Sequence, residues 1–466
     1  MQSRFVDRKD ELRWLEEHWR SGRAELLLVY GRRRVGKTRL LREFSKSHRV
    51  FYFVAEEVPE KLLLERLSKE LAEFIGDELL AEHPFTSWRQ FLLYLERIAS
   101  KRTGVVIDEF QYAVSSSPAL LSLLQNAWDT RLSDTGLFLV LAGSLVSFTE
   151  GVLSYRSPLY GRFTGVMKLR PLGPFETRCF VPSWDPGDAL RLYGVFGGIP
   201  GYLVEIDPGS TLWDNIARLV LSPNARFLDE AKYLLREELR EVTRYFAVLE
   251  AIARGATTYG EIASKSGIPA ESLSKYLRVL EEMELIRREQ PVVGKGRSRY
   301  IISDPFLRFW FRYVPAHRAA IELGLTERVV ETVRRDFEEN LMPIVWEEVA
   351  ARIIAEKLKH GWLGITPTRI GKWWHRGTEI DIVVVDDSEK PLRILVAEAK
   401  WSSLSAREAR RILDNLRAKA AHLPVKASTI HYVLAARELE EEPQLLGNEH
   451  TVTMKDYEEL SRKACK

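Results

Sequence analysis

The sequence predicts an α/β protein built from three successive parts, and three observations lead to this fold class. In the first third of the chain, short apolar runs alternate with stretches of helical periodicity, which is typical of a parallel sheet covered on both faces. A compact middle segment has the spacing of a helix-turn-helix followed by a polar hairpin. The last third returns to strands and helices.

Length and composition limit the classes of protein to consider. At 466 residues, and about 150 residues per domain, roughly three domains are expected. Contents of 45% hydrophobic and 29% charged residues indicate a soluble globular protein, and no run of eighteen apolar residues predicts a membrane span. The charged first residues lack the apolar region of a signal peptide. Only Cys179 and Cys465 occur, which predicts neither a disulfide framework nor a four-thiolate metal site. We therefore expect a cytoplasmic protein. Because its net charge is only +3, any nucleic-acid surface must be local.

The first predicted strand, ELLLVY at 25–30, leads into GRRRVGKT at 31–38 and then into a helix. This is the pattern G-x-x-x-x-G-K-[ST] in the context of a phosphate-binding loop. Its glycines let successive backbone N–H groups point at phosphates, and the helix N-terminus adds positive partial charge. The lysine reaches the β- and γ-phosphates, and the threonine hydroxyl is placed to ligate Mg²⁺. The sequence therefore predicts ATP and Mg²⁺ as cofactors. The predicted binding residues are Gly31, Arg34, Val35, Gly36, Lys37, Thr38 and Arg39.

Three further predicted strands follow, at 49–55, 104–110 and 137–144. The second of them, GVVIDEF, delivers Asp108 to a strand end, where it can hold the metal, and places Glu109 to polarise the attacking water.

Ser144 ends the strand LFLVLAGS. It either senses the γ-phosphate or caps the next helix, and the sequence leaves both roles open.

Six motifs, in this order, resemble the archaeal ATPase family, which is placed among the STAND NTPases, relatives of the AAA+ machines. They are FVDRKDEL, GRRRVGKT, VVIDEF, LAGS, SPLYGRFTG and GGIPGY, and they span roughly residues 3–235. The resemblance implies that Arg162 approaches the γ-phosphate as a sensor or finger, that Pro200 lies near the adenine, and that Arg8 borders the nucleotide. Ser144 stands where AAA+ proteins usually have Asn, which implies slow, switch-like hydrolysis. Whether Arg162 acts within its own chain or across the boundary of a nucleotide-dependent homo-oligomer stays open.

The middle segment, residues 258–286, has the apolar spacing of a helix-turn-helix, with Gly267 in the turn. The hairpin that follows, REQPVVGKGRSRYII at 288–302, predicts a basic wing whose glycines allow close approach to a phosphate backbone. DNA is the predicted partner. A purely structural role, packed against the ATPase domain or a partner, is the alternative. The residues expected to contact DNA are Lys275, Arg278, Lys295, Arg297 and Arg299.

Near the C-terminus, two predicted strands joined by the polar turn DDSEKP carry a second set of polar residues. Asp381 lies on the first strand, and Glu398 and Lys400 share one face of the second. If the strands form a hairpin, these three side chains converge. Carboxylates hold Mg²⁺ through hard oxygen ligands, and a lysine beside them orients water and offsets charge on an attacked phosphate.

This arrangement resembles the PD-(D/E)xK nuclease family over about residues 340–436, with Ile380 in place of the proline in the family's name. The resemblance implies a small restriction-endonuclease-like α/β domain in which Glu347, Asp381 and Glu398 hold metal and Lys400 is catalytic. A nuclease-like fold without activity, and a merely solvated sheet face, are the alternatives. A basic amphipathic helix at about 400–423 is a further candidate for lining a DNA groove, with a solvated face as the alternative. Its cations are Arg407, Arg410, Arg411, Arg417 and Lys419.

These predictions divide the chain into five segments. They are a P-loop ATPase core (1–172), a helical lid (173–235), a winged helix-turn-helix (236–303), a helical connector (304–340) and a nuclease-like domain (341–466). The preferred hypothesis is an ATPase that couples nucleotide state to DNA binding and Mg²⁺-dependent cleavage, in DNA processing, repair or defence. The alternative is a STAND-type signalling or transcription-regulating switch with an inactive nuclease-like domain. No membrane partner is expected.

Overall fold

The structure is a computed structural model that describes residues 5–99, 102–144, 146–239, 241–388 and 392–465. The last three residues of the predicted turn DDSEKP lie outside the described residues. The chain divides into two compact units, one of residues 1–171 with 199–202 and the other of residues 172–198 with 203–466. The finer five-segment division stays a prediction.

A five-stranded parallel sheet forms the centre of the first unit. Its strands are β1 (Glu25–Tyr30), β2 (Val50–Val54), β3 (Thr103–Asp108), β4 (Leu137–Gly143) and β5 (Gly165–Lys168), in the order β2-β3-β4-β1-β5. Every residue of β1, β3 and β4 is buried, as expected for central strands with helices on both faces. The predicted parallel α/β sheet is confirmed. The sequence does not predict β5, because four residues are too few to show a pattern.

Helices cover both faces of this sheet. They are α1 (Lys9–Arg20), α2 (Lys37–Ser45), α3 (Glu60–Ile75), α4 (Glu78–Glu82), α5 (Trp88–Ile98), α6 (Phe110–Ser116), α7 (Leu120–Thr130) and α8 (Val146–Leu153). Leu64 of α3 and Trp88 of α5 lie in the core on one face, and Leu15 of α1 and Leu40 of α2 lie in the core on the other. Burial of these apolar side chains is the main contribution that holds the helices to the sheet.

The remaining helices run through the rest of the described chain. They are α9 (Pro174–Thr177), α10 (Pro186–Phe196), α11 (Pro200–Leu203), α12 (Leu212–Ile216), α13 (Glu230–Glu238), α14 (Val242–Ala253), α15 (Tyr259–Ser266), α16 (Ala270–Glu282), α17 (Pro305–Glu322), α18 (Thr326–Asp336), α19 (Met342–Lys359), α20 (Ala406–Ala420) and α21 (Met454–Ala464).

Residues 242–302, which include the predicted helix-turn-helix and hairpin, consist of α14, α15 and α16 followed by an antiparallel pair of strands. These strands are β6 (Ile286–Glu289) and β7 (Arg299–Ile302). Thr258 and Glu261 form a reciprocal capping box at the start of α15, and Gly267 ends this helix with a left-handed φ of 69°. These are the elements that the predicted helix-turn-helix and hairpin require. Their assignment as a winged helix stays a prediction.

A second five-stranded sheet lies near the C-terminus. Its strands are β8 (Arg369–His375), β9 (Thr378–Asp386), β10 (Arg393–Leu404), β11 (Thr429–Leu439) and β12 (Glu449–Val452), in the order β12-β11-β10-β9-β8. The pairs β8–β9 and β9–β10 are antiparallel, and β10, β11 and β12 run parallel. The register places Ile382 opposite Ala397. Asp381 and Glu398, one residue further along each strand, are therefore adjacent on the neighbouring strands β9 and β10.

The two cysteines correct an expectation from the sequence. Cys179 and Cys465 form a disulfide, with their Cα atoms 5.3 Å apart. They are 286 residues apart in sequence, so spacing alone gives no sign of the pairing. Helix α21 brings them together, because Tyr457 of this helix donates a hydrogen bond to the Pro174 carbonyl at 3.1 Å.

Within the described residues, none of the helices combines the length and apolar character that crossing a membrane requires.

A buried ion-pair cluster joins α20 to β12. Arg410 donates to both oxygens of Glu449 at 2.7 Å, Arg417 donates a third hydrogen bond, and the Glu449 side chain is fully buried. The hydrogen bonds from Arg410, more than any other contact, hold the pKa of Glu449 at about 2. Because the folded state favours the charged carboxylate, the cluster stabilises the fold above the ordinary pKa of about 4.5 and loses this effect as pH falls toward 2.

We therefore expect Glu449→Gln to lower the free energy of unfolding by about 3 kcal/mol at neutral pH. The difference from wild type should shrink as the pH falls from about 4.5 toward 2. Urea unfolding at a series of pH values measures it. Glu459→Gln, in an exposed pair with Lys463, is the control and should change little. A difference at Glu449 that stays constant down to low pH would contradict this account.

Candidate functional site

The phosphate loop connects β1 to α2 through three residues with positive φ, Gly31 (155°), Arg34 (65°) and Gly36 (101°). A Cβ atom on Gly31 would lie 2.3 Å from the Leu169 carbonyl oxygen, so only glycine fits there. The turn directs the start of α2 toward the space enclosed by the loop, where backbone N–H groups favour an anion.

Lys37 and Thr38, the first residues of α2, occupy the positions that the motif predicts. Lys37 is buried, and its Nζ donates to the carbonyl oxygens of Gly31 at 2.8 Å and Arg32 at 3.2 Å. The ammonium group therefore lies inside the loop. Thr38 Oγ1 donates to Asp108 Oδ2 at 2.7 Å, so the structure brings the two predicted metal ligands of this site together.

Tyr52 is a site residue that the sequence analysis missed. It lies on β2, beside β3, and its hydroxyl donates to the same Asp108 Oδ2 at 2.5 Å. Burial, and then the charge of Asp108, raise the pKa of Tyr52 far above its ordinary range, so the phenol stays a donor. Asp108 is itself 1% exposed, and these hydrogen bonds offset the cost of burying its carboxylate. In the sequence, the only sign of this residue is its position between Phe51 and Phe53 on the second predicted strand.

Glu109 follows Asp108 in a left-handed conformation, with φ 52°. Its Oε2 accepts hydrogen bonds from Ser144 Oγ at 2.7 Å and from Gln111 Nε2. The Gln111 amide also donates to Ser144 Oγ at 3.3 Å. Ser144 therefore orients Glu109, a role that neither sequence alternative included, and Gln111 is a second residue that the sequence analysis missed.

Arg162 forms a bidentate ion pair with Asp129, with hydrogen bonds of 2.7 to 3.0 Å. Its Nη1 also donates to the carbonyls of Pro158 and Tyr160. Its predicted role at the γ-phosphate stays a prediction.

The segment 199–202 packs on the phosphate loop. Gly201 N donates to the Arg34 carbonyl at 3.0 Å, and Pro200 Cγ lies 3.8 Å from the position a Cβ on Gly36 would take. Arg8 supports the loop from another direction, because its Nη2 donates to the Val35 carbonyl at 3.1 Å. Pro200 and Arg8 thus lie beside the loop, while contact with an adenine stays a prediction.

The predicted carboxylates of the second unit share one cavity of about 500 Å³. Glu347 reaches it from α19, Asp381 from β9 and Glu398 from β10. The cavity is also lined by Gly377, Thr378, Glu379, Asn415 and Lys419, none of which was predicted as part of this site.

The three carboxylates repel one another. Burial, followed by the charges of Glu347 and Glu398, raises the pKa of Asp381 to about 7. Burial raises the pKa of Glu347 as well. Asp381 accepts a hydrogen bond from Ala399 N at 2.9 Å, which opposes this rise only in part. The cavity is therefore a place where additional positive charge would be stabilised.

Lysines of the chain itself already pair with two of these carboxylates. Lys372 forms an ion pair with Glu347. Lys400 Nζ donates a hydrogen bond to Glu398 Oε1 at 2.9 Å. Lys419 Nζ donates to both carboxylate oxygens of Glu398, at 2.8 and 2.9 Å. Over the described ranges, no three His, Cys, Asp or Glu side chains converge as a coordination shell for a metal ion. The predicted ligands therefore share a cavity but not a formed shell.

The five cations predicted to contact DNA differ in their exposure and in their contacts within the chain. Lys275 and Arg278 are exposed on α16, where they form exposed ion pairs with Glu241 and Glu282, and Lys295 and Arg297 are exposed between β6 and β7. Arg299 instead donates to Glu379 at 2.9 Å, so its charge is used within the chain. Three cations of the basic helix α20 also form ion pairs within the chain. Arg410 and Arg417 bind Glu449, and Lys419 binds Glu398.

Comparisons with known proteins agree with the nucleotide site. A family model described as an ATPase domain predominantly from Archaea matches residues 5–206, and a model of archaeal and bacterial proteins of unknown function matches residues 310–412. An uncharacterised protein of Methanocaldococcus jannaschii is 33% identical over 440 residues, which cover 94% of this chain and 96% of that protein. A Walker-type ATPase of Pyrococcus abyssi is similar in structure, with a TM-score of 0.52 and 23% identity over 67% of this chain and 97% of that one. At this identity the structural likeness establishes the fold alone.

The Tyr52–Asp108 hydrogen bond yields a prediction that does not depend on function. We expect Tyr52→Phe to lower the free energy of unfolding by about 2 kcal/mol, because a buried carboxylate loses a donor. Tyr94→Phe is the matched control, since the Tyr94 hydroxyl donates to the more exposed Asp77, also at 2.5 Å. Chemical unfolding of both variants should show the larger loss at Tyr52. An equal or larger loss at Tyr94 would contradict the proposed importance of burial.

Proposed function

Because the chain belongs to the family of P-loop ATPases found predominantly in Archaea, we propose that it binds and hydrolyses ATP at the phosphate loop. We further propose that nucleotide state controls a DNA-binding and DNA-cleaving second unit, in DNA processing, repair or defence. The observation that carries the ATPase proposal is the Thr38–Asp108 hydrogen bond beside the loop, with Glu109 one residue away. The cytoplasm, where ATP and DNA are both present, is the proposed compartment.

The residues of the loop divide the work of binding ATP. The backbone N–H groups of 34–38 would bind the β- and γ-phosphates, and Lys37 would exchange its loop carbonyls for phosphate oxygens. Thr38 and Asp108 would hold Mg²⁺, since a hydroxyl and a carboxylate are hard oxygen ligands. Mg²⁺ bound there supplies charge neutralisation for the phosphate oxygens.

Glu109 would accept the proton of the attacking water. The water oxygen forms a bond to the γ-phosphorus while the bond from that phosphorus to the bridging oxygen of ADP breaks. Ser144 and Gln111 occupy Glu109 Oε2, which fixes the carboxylate and leaves Oε1 to take the proton.

We expect Glu109→Gln to reduce the rate of ATP hydrolysis by about a hundredfold or more while ATP binding persists. Lys37→Ala should lose both, because it removes the charge that meets the phosphates. Phosphate release measures the first property, and equilibrium binding of a fluorescent ATP analogue measures the second. Hydrolysis that survives Glu109→Gln at the wild-type rate would overturn the role of Glu109.

For the second unit, the observation that supports cleavage is the carboxylate cavity together with Lys400 of β10, whose Nζ donates to Glu398 Oε1 at 2.9 Å. Burial, followed by the charges of Glu347 and Glu398, raises the pKa of Asp381 to about 7, and a divalent cation would offset both effects. Glu347, Asp381 and Glu398 would hold it, which requires Lys419 to release at least one oxygen of Glu398. A metal bound there supplies Lewis-acid activation of a phosphodiester. Lys400 would orient the attacking water and offset charge on the phosphate.

The same lysines favour a second candidate function. Because Lys372, Lys400 and Lys419 already balance Glu347 and Glu398, the domain is electrostatically stable without a metal. This supports the alternative of a STAND-type signalling or transcription-regulating switch, in which the last domain binds DNA or a partner but does not cut.

Incubation of the full chain with duplex DNA and Mg²⁺ or Mn²⁺, with and without ATP, separates the two candidates. We expect cleavage by the wild type and its loss in Glu398→Gln and Asp381→Asn, because each removes a metal ligand. Asp387→Asn, at an exposed carboxylate just beyond β9, is the matched control. Cleavage that persists in Glu398→Gln would overturn the nuclease assignment. An absence of cleavage with ATP hydrolysis intact would favour the regulatory switch.

A further inference from the structure

The hairpin between β6 and β7 does not stand free of the C-terminal sheet. Val293, in the stretch 290–298 that we call the hairpin tip, is 3% exposed and belongs to the same apolar core as Trp373 and Ile380. Val292 N donates to the Lys372 carbonyl at 2.9 Å, and Arg369 Nη1 donates to the Val292 carbonyl at 3.0 Å. The tip therefore lies along the edge strand β8 and covers it.

The other side of the tip is also fixed. Trp374 Nε1 donates to the Arg297 carbonyl at 3.2 Å, and the Arg299 guanidinium lies 4.4 Å from the centre of the Trp374 ring. Arg299 also pairs with Glu379, which lines the carboxylate cavity. A Cβ on Gly294 would lie 2.7 Å from Pro424 Cγ, so the backbone passes close to the segment after α20. Contacts on both sides hold the tip against the domain that contains the cavity.

Docking leaves the charged side chains of the tip exposed. Lys295 and Arg297 are exposed, although both belong to a stretch in which Val293 is buried and Val292 is half-buried. Arg376, also exposed, occupies the β8–β9 turn directly before Gly377, which lines the cavity. Lys426 is exposed two residues after Pro424, the residue that Gly294 approaches. We call these four cations the basic rim.

The basic rim thus carries charge opposite in sign to the cavity carboxylates, and it adjoins the cavity through Arg376, next to Gly377, and through the Arg299–Glu379 pair of the same hairpin. Carboxylates alone repel a phosphodiester, so a site that brings one to Asp381 and Glu398 needs cations that do not lie inside the cavity. The basic rim provides them on backbone that is held in place, which lowers the ordering cost of binding. We propose that the basic rim seats the phosphodiester backbone of duplex DNA beside the carboxylate cavity. This inference rests on the proposed DNA-directed function of the second unit.

Duplex DNA is favoured as the ligand by a second exposed surface of the same unit. Lys275 and Arg278 are exposed on α16, a 13-residue helix of a size that enters a major groove. Buried Val293 and the Arg299–Glu379 pair tie the hairpin that follows α16 to the C-terminal sheet. The distance between DNA contacted by α16 and DNA backbone bound at the basic rim is therefore fixed.

The test compares two charge reversals of equal size in the full chain. Lys295→Glu/Arg297→Glu alters the rim, and Lys69→Glu/Arg89→Glu alters exposed positions of α3 and α5 by the same net charge. Binding to a short fluorescent duplex is measured by anisotropy in EDTA over a series of salt concentrations, so cleavage does not contribute. Equal thermal melting of both variants and wild type shows that folding is unchanged.

We expect the rim variant to bind about ten- to a hundredfold more weakly, with the slope of log affinity against log salt reduced by about two. The control variant should keep the affinity and slope of the wild type. Unchanged binding by the rim variant, or an equal loss in both variants, would overturn the inference and leave the proposed function standing. A wild type that does not bind duplex DNA would overturn both the inference and the DNA half of the proposed function.

Discussion

The cost of burying a carboxylate is the constraint on which both candidate sites depend. A charged carboxylate loses its water in the interior, and it stays there only where donors or cations replace that water. Asp108 receives hydroxyls from Thr38 and Tyr52 and the backbone N–H of Glu109. Asp381 receives one backbone N–H and faces other acids instead, and its pKa rises to about 7. Neutral donors satisfy the carboxylate of the first site, whereas lysines of the chain pair with Glu347 and Glu398 at the second.

Two neighbouring glutamates of α19 show how this constraint separates structural from functional charge. Burial would raise the pKa of Glu348, but Arg308 and Arg287 outweigh it and hold that pKa at about 2. These arginines come from α17 and β6, so Glu348 joins the helical part of the unit to α19. Glu347, one residue earlier, has a raised pKa and lines the cavity. The helix thus anchors the domain through Glu348 and lines the cavity with Glu347.

The sequence was most informative where function depends on a contiguous stretch of backbone. The phosphate loop and the hairpin of Asp381 and Glu398 were predictable, because glycine positions and period-two alternation are local properties. Tyr52 and the Cys179–Cys465 disulfide were not, because each depends on which distant segments meet. The hairpin tip shows a subtler limit. Its glycines and cations predict a wing, yet Val293 is the residue that docks it, and one valine among polar neighbours carries no distinctive pattern.

We propose that the chain holds two separate carboxylate sites for divalent cations, one that requires nucleotide and one independent of it. This proposal is tested by counting the Mn²⁺ ions bound to the full chain, by electron paramagnetic resonance with and without a non-hydrolysable ATP analogue. We expect Asp108→Asn to remove the ion that requires nucleotide and Asp381→Asn to remove the ion that does not. Mn²⁺ binding that neither substitution changes would contradict it.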